Sequence, residues 1–247
     1  MKIITWNVNG IRSRIFNEQI SSKLKKNELI CPQESSPMKK LIDDYSPDVI
    51  CIQETRCGLE NAKKISIPGY KSLFNESKMD GARAADRYSG TAVFYRENMN
   101  VLEISTTFPG YEDTEGRVIT ITFESFTCIT VYAPNSGTNF DNKIYFMDAM
   151  IDYLNNINGP VVFCGDINVA VSAHFDKTLV AEGPGYYKHE LEFYINLHDI
   201  GYIDAIKNDD IVYTWWDPRA RKENGIAATR NRNKGWRLDY FFTKNFN

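Results

Sequence analysis

Short apolar runs separated by polar stretches extend along the whole chain, and most of them have the length of a β-strand. The run at residues 117–123 alternates apolar and polar side chains, a pattern typical of half-buried antiparallel strands. The run at 160–164 is uniformly apolar and favours a fully buried strand. In all, strands are predicted at residues 2–6, 48–54, 89–95, 101–106, 117–123, 127–132, 160–164 and 238–243.

Three further stretches have the periodicity of helices. The strongest prediction is a helix over residues 143–158, whose apolar positions recur at helical spacing and form one stripe. The members of that stripe are Ile144, Met147, Ile151 and Leu154, with Ile157 as a further candidate. Shorter helices are predicted at 38–45 and 188–198, an irregular segment at 55–87, a long loop at 170–187, and a helix or partly ordered insertion at 11–36.

Composition narrows the class of protein. The 247 residues are 43% hydrophobic, which is enough for a substantial core, and no linker divides them, so a single domain over residues 1–247 is expected. The net charge of −3 does not by itself indicate a nucleic-acid partner, and any surface for one must be local. No apolar run approaches membrane-spanning length, and the first residues do not resemble a signal peptide.

The five cysteines indicate the redox environment. Cys51, Cys128 and Cys164 lie inside apolar runs, where reduced cysteine packs as a small hydrophobic side chain. The sequence has no Cys-x-x-Cys pair and no His–Cys cluster, so a zinc site is not expected. Reduced thiols favour an intracellular protein, without distinguishing nucleus from cytoplasm.

Several predicted strands end in polar side chains of the same chemical type. These are Asn7 and Asn9, Glu54, Tyr132 with Asn135, Asp166 with Asn168, and Asp239. Carboxylate and amide oxygens suit a hard cation, Mg²⁺ or Mn²⁺, rather than zinc. Glu54 is the first choice of ligand, because it is the only carboxylate that terminates its strand.

The Gly-Asp-Ile-Asn turn at residues 165–168 supports the same chemistry. Asp166 could take a proton from water while Asn168 holds an anionic oxygen, which together suit attack on a phosphate. Taken alone, such a turn is better explained as a structural turn, because Asp and Asn hydrogen-bond their own backbone. A single glutamate at a strand end is likewise better explained as a solvated side chain, so the functional interpretation depends on the rest of the chain.

Eight short blocks occur in a specific order along the chain. They are WNVNGIR (6–12), IQETR (52–56), YSG (88–90), EGRVI (115–119), VYAPN (131–135), GDINVA (165–170), YTWW (213–216) and GWRLDYF (235–241). Together they resemble the motif set of exonuclease III-type apurinic/apyrimidinic endonucleases, of the endonuclease/exonuclease/phosphatase superfamily, from residue 2 to about 245. Inositol-phosphate phosphatases, sphingomyelinases and deoxyribonuclease I relatives share only the Gln-Glu and Gly-Asp-x-Asn elements.

The resemblance implies a four-layer α/β sandwich, with two packed mixed β-sheets flanked by helices. It implies Mg²⁺-dependent incision of double-stranded DNA on the 5′ side of an abasic nucleotide, with Mn²⁺ able to substitute. Accompanying 3′–5′ exonuclease and 3′-phosphatase activities are also implied. We expect a monomer that acts on abasic DNA and has no membrane partner.

The resemblance also implies roles for individual residues. Glu54 would be the principal metal ligand, with Asn7 or Asn9 nearby and with Asp166 and Asn168 in the same metal-phosphate site. Asp166 would activate the attacking water, and Asn168 and Tyr132 would hold the scissile phosphate. Asp239 belongs to the same catalytic set.

The remaining roles implied by the resemblance concern DNA. The predicted contacts are Arg12, Tyr88, Arg117, Asn135, Trp216, Trp236 and Arg237. Trp216 and Trp236 would shape the pocket for the flipped-out abasic sugar, while Trp215 is assigned to the core. Residues 217–237 carry seven basic against two acidic side chains, a net charge of +5, and offer a local strip for phosphates.

The chain departs from the family pattern at its last residues. Family members continue past the Leu-Asp-Tyr-Phe strand into a Ser-Asp-His motif and a last strand, whereas the sequence given ends at Asn247. We therefore expect a domain without its last strand, in which Asp239 lacks the histidine that it orients in the family. The three histidines present, His174, His189 and His198, do not fit that role.

Smaller departures concern the grip on DNA. Thr138 occupies a position where relatives often carry a longer, DNA-contacting side chain. The stretches 13–37 and 219–234 are longer than usual for the family. All three are expected to alter DNA binding or substrate preference.

Three functions remain open at this point. The first is the abasic-site endonuclease, with activity weakened by the missing histidine. The second is a catalytically impaired or truncated homologue that binds abasic DNA without turnover. The third is a phosphatase or lipid phosphodiesterase of the same superfamily, against which the arginine-rich strip and the tryptophans argue.

Overall fold

The structure, a computed structural model, describes residues 1–15, 29–81, 84, 86–171, 183–206, 212–217, 222–223 and 226–246. The strands are β1 (Ile3–Asn7), β2 (Val49–Gln53), β3 (Tyr70–Asn75), β4 (Thr91–Arg96), β5 (Val101–Ser105), β6 (Val118–Phe123), β7 (Thr127–Tyr132), β8 (Val161–Asp166), β9 (Ile203–Asp204), β10 (Lys222–Glu223), β11 (Ile226–Ala227) and β12 (Asp239–Lys244). The helices are α1 (Arg12–Ile15), α2 (Pro37–Tyr45), α3 (Leu59–Ala62), α4 (Phe140–Asn155), α5 (Lys188–Asp199) and α6 (Ala228–Asn231). None of these helices is long and apolar enough to cross a membrane.

The strands form two larger sheets and one small hairpin. The four-stranded sheet has the order β1-β2-β4-β3, and the six-stranded sheet has the order β5-β6-β7-β8-β12-β9. Strands β1 and β2 are parallel, whereas β4 pairs antiparallel with β2 and β3. Two mixed sheets flanked by helices confirm the predicted α/β class.

The described chain divides into two compact units. Unit 1 contains residues 1–108, 112–132 and 163–165, and unit 2 contains 109–111, 133–162 and 166–247. The single domain over residues 1–247 stays a prediction.

Unit 1 is built around strand β2, which is buried along its whole length. On one side, Ile50 and Ile52 belong to an apolar cluster with Ile11 and Met38 from the helical layer. On the other side, Cys51 packs against Cys128 of β7, with the two sulfur atoms 3.8 Å apart. All five cysteines are free thiols, and the three in strands pack as small hydrophobic side chains, as predicted. Because β2 is packed on both of its faces, its position is fixed. Glu54 follows directly after its last residue.

Unit 2 is organised around helix α4, whose buried face matches the predicted stripe at Met147 and Leu154 but not at Ile144 and Ile151. Phe146, Met150 and Leu154 are 0–1% exposed, whereas Ile144 and Ile151 are only partly buried and line a groove towards α5. The ring of Phe146 packs edge-on against Tyr111, with 5.1 Å between the ring centroids. This contact favours the orientation of α4 in which Phe146 is buried. A lysine, Lys143, lies on the same buried face.

The prediction of an irregular segment at 55–87 is wrong in two places. Helix α3 and strand β3 both lie within it. Strand β3 forms the edge of its sheet, and Lys71 and Ser72 are exposed, so it lacks the apolar run that marks interior strands. Strand β9 is only two residues long, which is too short for an apolar or alternating pattern to predict it. Parts of three predicted segments lie outside the described residues. They are residues 16–28 of the N-terminal insertion, 172–182 of the long loop with His174, and 218–221 with 224–225 of the basic strip.

Candidate active site

Glu54 lies at the centre of a polar group in unit 1. Strands β1 and β2 are parallel and in register from Ile3 and Val49 to Asn7 and Gln53, so their carboxyl ends lie side by side. The Asn7 side-chain amide donates a 3.0 Å hydrogen bond to Oε1 of Glu54, and the Tyr132 hydroxyl donates to the same oxygen at 2.8 Å. The structure thus brings together three residues that the sequence analysis assigned to one site.

The backbone around Glu54 adopts an unusual conformation. Glu54 has a φ of 52° and Arg56 a φ of 45°, in the left-handed region that side chains with a Cβ rarely adopt. Such residues persist only where the surroundings hold them. Here the Gly10 N–H donates to the Glu54 carbonyl at 2.8 Å, and the Arg56 N–H donates to Ser89 at 2.9 Å. The loop therefore presents the carboxylate in one defined direction.

Arg56 is a site residue that sequence reasoning did not single out. Its guanidinium lies 2.6 Å from Oε2 of Glu54, with side chains 41% and 15% exposed respectively. The only signal was its place two residues after Glu54 in the Gln-Glu-Thr-Arg block. Between them, Asn7, Tyr132 and Arg56 engage both carboxylate oxygens of Glu54, so this side chain is held before any ligand arrives.

Arg117, a predicted DNA contact, is buried in the structure, and its contact with DNA stays a prediction. Its side chain is 3% exposed. It donates to Glu115 at 2.7 Å, to the Tyr132 carbonyl at 2.8 Å and to the Tyr88 hydroxyl at 3.1 Å. Burial lowers the pKa of Arg117, but the Glu115 carboxylate together with Tyr132 and Tyr88 outweighs that effect, and the net shift of the pKa is upward. Arg117 is thus a permanently charged clamp that holds Tyr132 and Tyr88.

Arg12 fits the expectation of a surface contact. It is exposed, and its guanidinium donates to the carbonyl of Asp86 at 3.2 Å. The carboxylate of Asp86 accepts a bond from the Gly58 N–H, which together with other partners holds the pKa of Asp86 below its ordinary value. Arg12 is therefore available at the surface of unit 1.

In unit 2, Asp166 and Asn168 form a closed turn at the end of β8. Oδ1 of Asp166 accepts the Asn168 N–H at 3.0 Å, and the Asn168 amide donates to the Ala133 carbonyl at 2.9 Å. Both residues are 7% exposed, and Asn168 has a left-handed φ of 51°. The turn is thus stabilised by hydrogen bonds of its own Asp and Asn side chains. These bonds fix the two proposed catalytic side chains relative to each other.

The residue before Asp166 is a glycine because its neighbours leave no room for a side chain. Gly165 has a φ of 135°, and a Cβ placed on it would lie 2.1 Å from the carbonyl oxygen of Val131. Any larger residue would push the neighbouring strand away. Glycine here lets β7 and the end of β8 approach closely, so that Asp166 begins the turn immediately after the strand.

Lys143 is the second site residue that the sequence analysis missed. It lies in the first turn of α4 and is completely buried. Its ammonium group donates to the carbonyls of Ile167 and Asn168, at 2.6 and 3.3 Å. Nothing in the helical pattern around it distinguishes this lysine from a solvated one.

The loop after β7 places Asn135 at the surface. Asn135 and Thr138 are both exposed. The Asn135 side chain accepts the Gly137 N–H at 2.8 Å, and the Thr138 hydroxyl donates to the Asn135 carbonyl at 2.9 Å. Thr138 is thereby used within the loop, consistent with the expectation that it reaches DNA less well than a longer side chain.

The tryptophans differ in burial from their predicted assignment. Trp236 is 7% exposed, whereas Trp215, which was assigned to the core, is only partly buried. The two pair through backbone hydrogen bonds of 2.9 Å, and their rings meet edge to face at 5.9 Å. Trp216 is partly buried, with Arg230 stacked 5.0 Å above its ring. A pocket-shaping role for Trp216 and Trp236 stays a prediction.

Arg237 and Asp239 lie close together in sequence. The Arg237 guanidinium is 2% exposed and lies 2.6 Å from Asp204, and its contact with DNA stays a prediction. The Asp239 N–H donates to the Thr214 hydroxyl at 3.2 Å, and the residue is partly buried at the start of β12. Its catalytic role stays a prediction.

Comparisons with known proteins agree on one family. Residues 4–247 match the model of the endonuclease/exonuclease/phosphatase family. An exodeoxyribonuclease of Bacillus subtilis is 31% identical over 253 residues, covering 98% of this chain and 87% of that protein. A DNA-(apurinic or apyrimidinic site) endonuclease of Dictyostelium discoideum is 30% identical, and the chain spans 62% of its length. The structure of a 3′ phosphatase from Neisseria bound to a product DNA hairpin matches with a TM-score of 0.74 and 23% identity, covering 99% of this chain and 86% of that one, which shows a common fold.

Proposed function

We propose, from the premise that this chain belongs to the endonuclease/exonuclease/phosphatase family, that it is a Mg²⁺-dependent DNA repair nuclease. Its proposed reaction is hydrolysis of the phosphodiester on the 5′ side of an abasic nucleotide. The family match confirms the resemblance found in the eight ordered motifs. The names of the two sequence relatives support nuclease activity, with accompanying 3′–5′ exonuclease and 3′-phosphatase activities as part of the proposal.

The observation that carries the proposal is the prearranged carboxylate of Glu54. Asn7 and Tyr132 both donate to its Oε1, so the carboxylate orientation is set from two directions. The predicted ligands offer carboxylate and amide oxygens, and Tyr132 adds a hydroxyl oxygen, a set that fits Mg²⁺ or Mn²⁺. When bound, such an ion stabilises negative charge on phosphate oxygens. Glu54 and Asn7 would hold it, with Asp166 and Asn168 proposed to share the metal-phosphate site.

The protein's own groups have separable roles in the proposed reaction. Asp166 accepts a proton from the attacking water. The Asn168 amide and the Tyr132 hydroxyl donate to phosphate oxygens as negative charge grows on them. Because Asn168 and Tyr132 are already held by Ala133 and by Glu54, little reorganisation is needed when the charge develops.

The proposed DNA contacts differ in exposure, and two of the arginines among them are buried. Arg12 and Asn135 are exposed and remain direct candidates, while Arg117 acts indirectly by holding Tyr88 and Tyr132. Abasic specificity, a monomeric state and an intracellular location belong to the same proposal. The free thiols are compatible with that location.

A single cleavage experiment tests the proposal. A labelled duplex with one tetrahydrofuran abasic analogue is incubated with the protein in Mg²⁺, in Mn²⁺ and in a chelator, beside an identical duplex without the lesion. Incision 5′ to the analogue in Mg²⁺, lost in chelator and absent from the intact duplex, is expected. No incision with either ion would overturn the proposal.

Two additions make the experiment sharper. Glu54→Gln should abolish incision, whereas Glu60→Gln should not, because the Glu60 side chain is 86% exposed and bonds only Lys63 among the described contacts. Gel shifts on the same samples separate the alternative function. Salt-sensitive binding to the abasic duplex without turnover would identify a DNA-binding homologue that no longer cleaves.

A further inference from the structure

Lys143 is a charged side chain in an unusual environment. Lysine is almost never fully buried unless its ammonium group is partnered, yet Lys143 has no exposed surface. Its ammonium group donates to the Ile167 carbonyl at 2.6 Å and to the Asn168 carbonyl at 3.3 Å. Those two carbonyls belong to the turn that carries Asp166 and Asn168.

The lysine is itself anchored at the beginning of a long helix. Helix α4 extends over 16 residues, and Asn139 caps it by accepting the Asn142 N–H. The Lys143 N–H also donates to the Asn139 carbonyl at 3.2 Å. Lys143 therefore extends from a fixed helical end and attaches the turn to it.

Other hydrogen bonds also hold the turn. The Ile167 N–H donates to Leu238 at 3.0 Å, and the Asn168 side chain donates to Ala133 at 2.9 Å. Asn168 adopts a left-handed conformation, which needs support from its surroundings. A hydrogen bond from a charged donor is stronger than one from a neutral donor, so Lys143 is well suited to hold both successive carbonyls.

We propose that Lys143 is a positioning residue that fixes the Asp166–Asn168 turn and so sets the aim of both side chains. This inference rests on the proposed function for its kinetic consequence. Displacement of a reacting group by about 1 Å can cost about 100-fold in rate. Because Arg12 and Asn135 do not depend on Lys143, the loss should appear in kcat rather than in KM.

Three variants test the role. Lys143→Met removes the donor while keeping the length of the side chain, Lys143→Gln keeps a neutral donor, and Lys143→Arg keeps the charge. Lys188→Met is the matched control, since the Lys188 side chain is 89% exposed at the start of α5 in the same unit. Cleavage of the abasic duplex is measured at saturating Mg²⁺, and amide hydrogen exchange is followed in peptides that cover 165–170.

The expected result is a fall in kcat of about 10–100-fold for Lys143→Met, with KM changed less than about threefold and exchange accelerated in 165–170. Lys143→Arg should recover part of kcat, and Lys188→Met should resemble the wild type. Wild-type kcat and wild-type exchange at 165–170 in folded Lys143→Met or Lys143→Gln would overturn the inference.

The two proposals fail in different ways. If wild-type protein cleaved no DNA, the proposed function would fail, and the exchange of 165–170 in the variants would still decide whether Lys143 fixes the turn. If Lys143→Met did not fold, Lys143→Gln and Lys143→Arg would decide it by the same two measurements. Equal acceleration of exchange throughout unit 2 would indicate a general core role and would also overturn the inference.

Discussion

The Tyr132 hydroxyl donates a 2.8 Å hydrogen bond to Oε1 of Glu54, across 78 positions of sequence. The same oxygen accepts the Asn7 amide, and Arg117 holds the Tyr132 backbone carbonyl while its guanidinium lies 4.9 Å from the Tyr132 ring. Tyr132 is therefore more than a candidate donor to phosphate. It links the proposed metal ligand to a buried arginine clamp.

Removing the Tyr132 hydroxyl should weaken both activity and metal use. Tyr132→Phe leaves the ring against Arg117 but deletes the donor to Glu54, and loss of a group that orients a metal ligand typically costs about 10–100-fold in affinity or activity. We expect a rate reduced by that factor and a higher Mg²⁺ concentration at half-maximal rate. Tyr45→Phe, at an exposed position of α2, is the control. An unchanged Mg²⁺ dependence in Tyr132→Phe would show that the hydroxyl does not orient Glu54.

Asp166 provides the test of the proposed base. Asp166→Asn keeps the size of the side chain and still offers an oxygen to the Asn168 N–H, so the turn should survive. Loss of general-base catalysis typically costs about 10²–10⁴-fold, and single-turnover cleavage should slow by that factor while DNA binding persists. Asp148→Asn, at an exposed position of α4, should retain the wild-type rate. A wild-type rate in Asp166→Asn would mean that another group activates the water.

The sequence predicted the parts of the site that depend on strand ends. Asn7, Glu54 and Asp166 each follow an apolar run, and the carboxyl end of a strand is a general position for ligand groups. The periodicity and length of the apolar runs were therefore sufficient to place these residues, and the order of the motifs indicated the family. The mixed two-sheet fold follows from the same runs, except where an edge strand such as β3 carries polar side chains on its exposed positions.

The sequence could not predict which cations are buried. Arg117, Arg237 and Lys143 are all polar residues in locally polar or helical patterns, and each has buried contacts with groups distant in the chain. Local periodicity carries no information about such partners. The same limit explains why the burial of Arg117 and Arg237 was not predicted and why Lys143 was overlooked.

The buried thiol of Cys57 should be resistant to alkylation and should stabilise the fold only below alkaline pH. Burial raises the pKa of Cys57 from 9.0 to about 12. A thiol whose folded pKa lies above its unfolded pKa contributes stability that is complete below about pH 9 and lost as pH rises towards 12. We expect iodoacetamide at pH 8.5 to modify the exposed Cys31 and to leave Cys57 unmodified until the protein is denatured, as read by peptide mass spectrometry. Rapid native-state alkylation of Cys57 would contradict its burial.

The ion pair between Arg237 and Asp204 should matter for stability rather than for DNA affinity. The side chains are 2% and 5% exposed with 2.6 Å between the charged atoms, and Tyr194 also donates to Asp204 at 3.2 Å. Removing one member of a buried pair leaves an uncompensated charge and typically costs about 3–5 kcal/mol. Arg237→Met should therefore lower the free energy of unfolding by that amount in urea titrations.

Two further variants show whether the loss of stability in Arg237→Met comes from a buried, unpaired charge. The double variant Arg237→Met/Asp204→Leu should be less destabilised than Arg237→Met, because no charge is left buried alone. Lys63→Met, which breaks the exposed pair with Glu60, should change stability by no more than about 1 kcal/mol. If folded Arg237→Met instead kept its stability and bound abasic DNA more weakly with a smaller dependence on salt, Arg237 would contact phosphate, and its burial in the structure would not describe the DNA-bound protein.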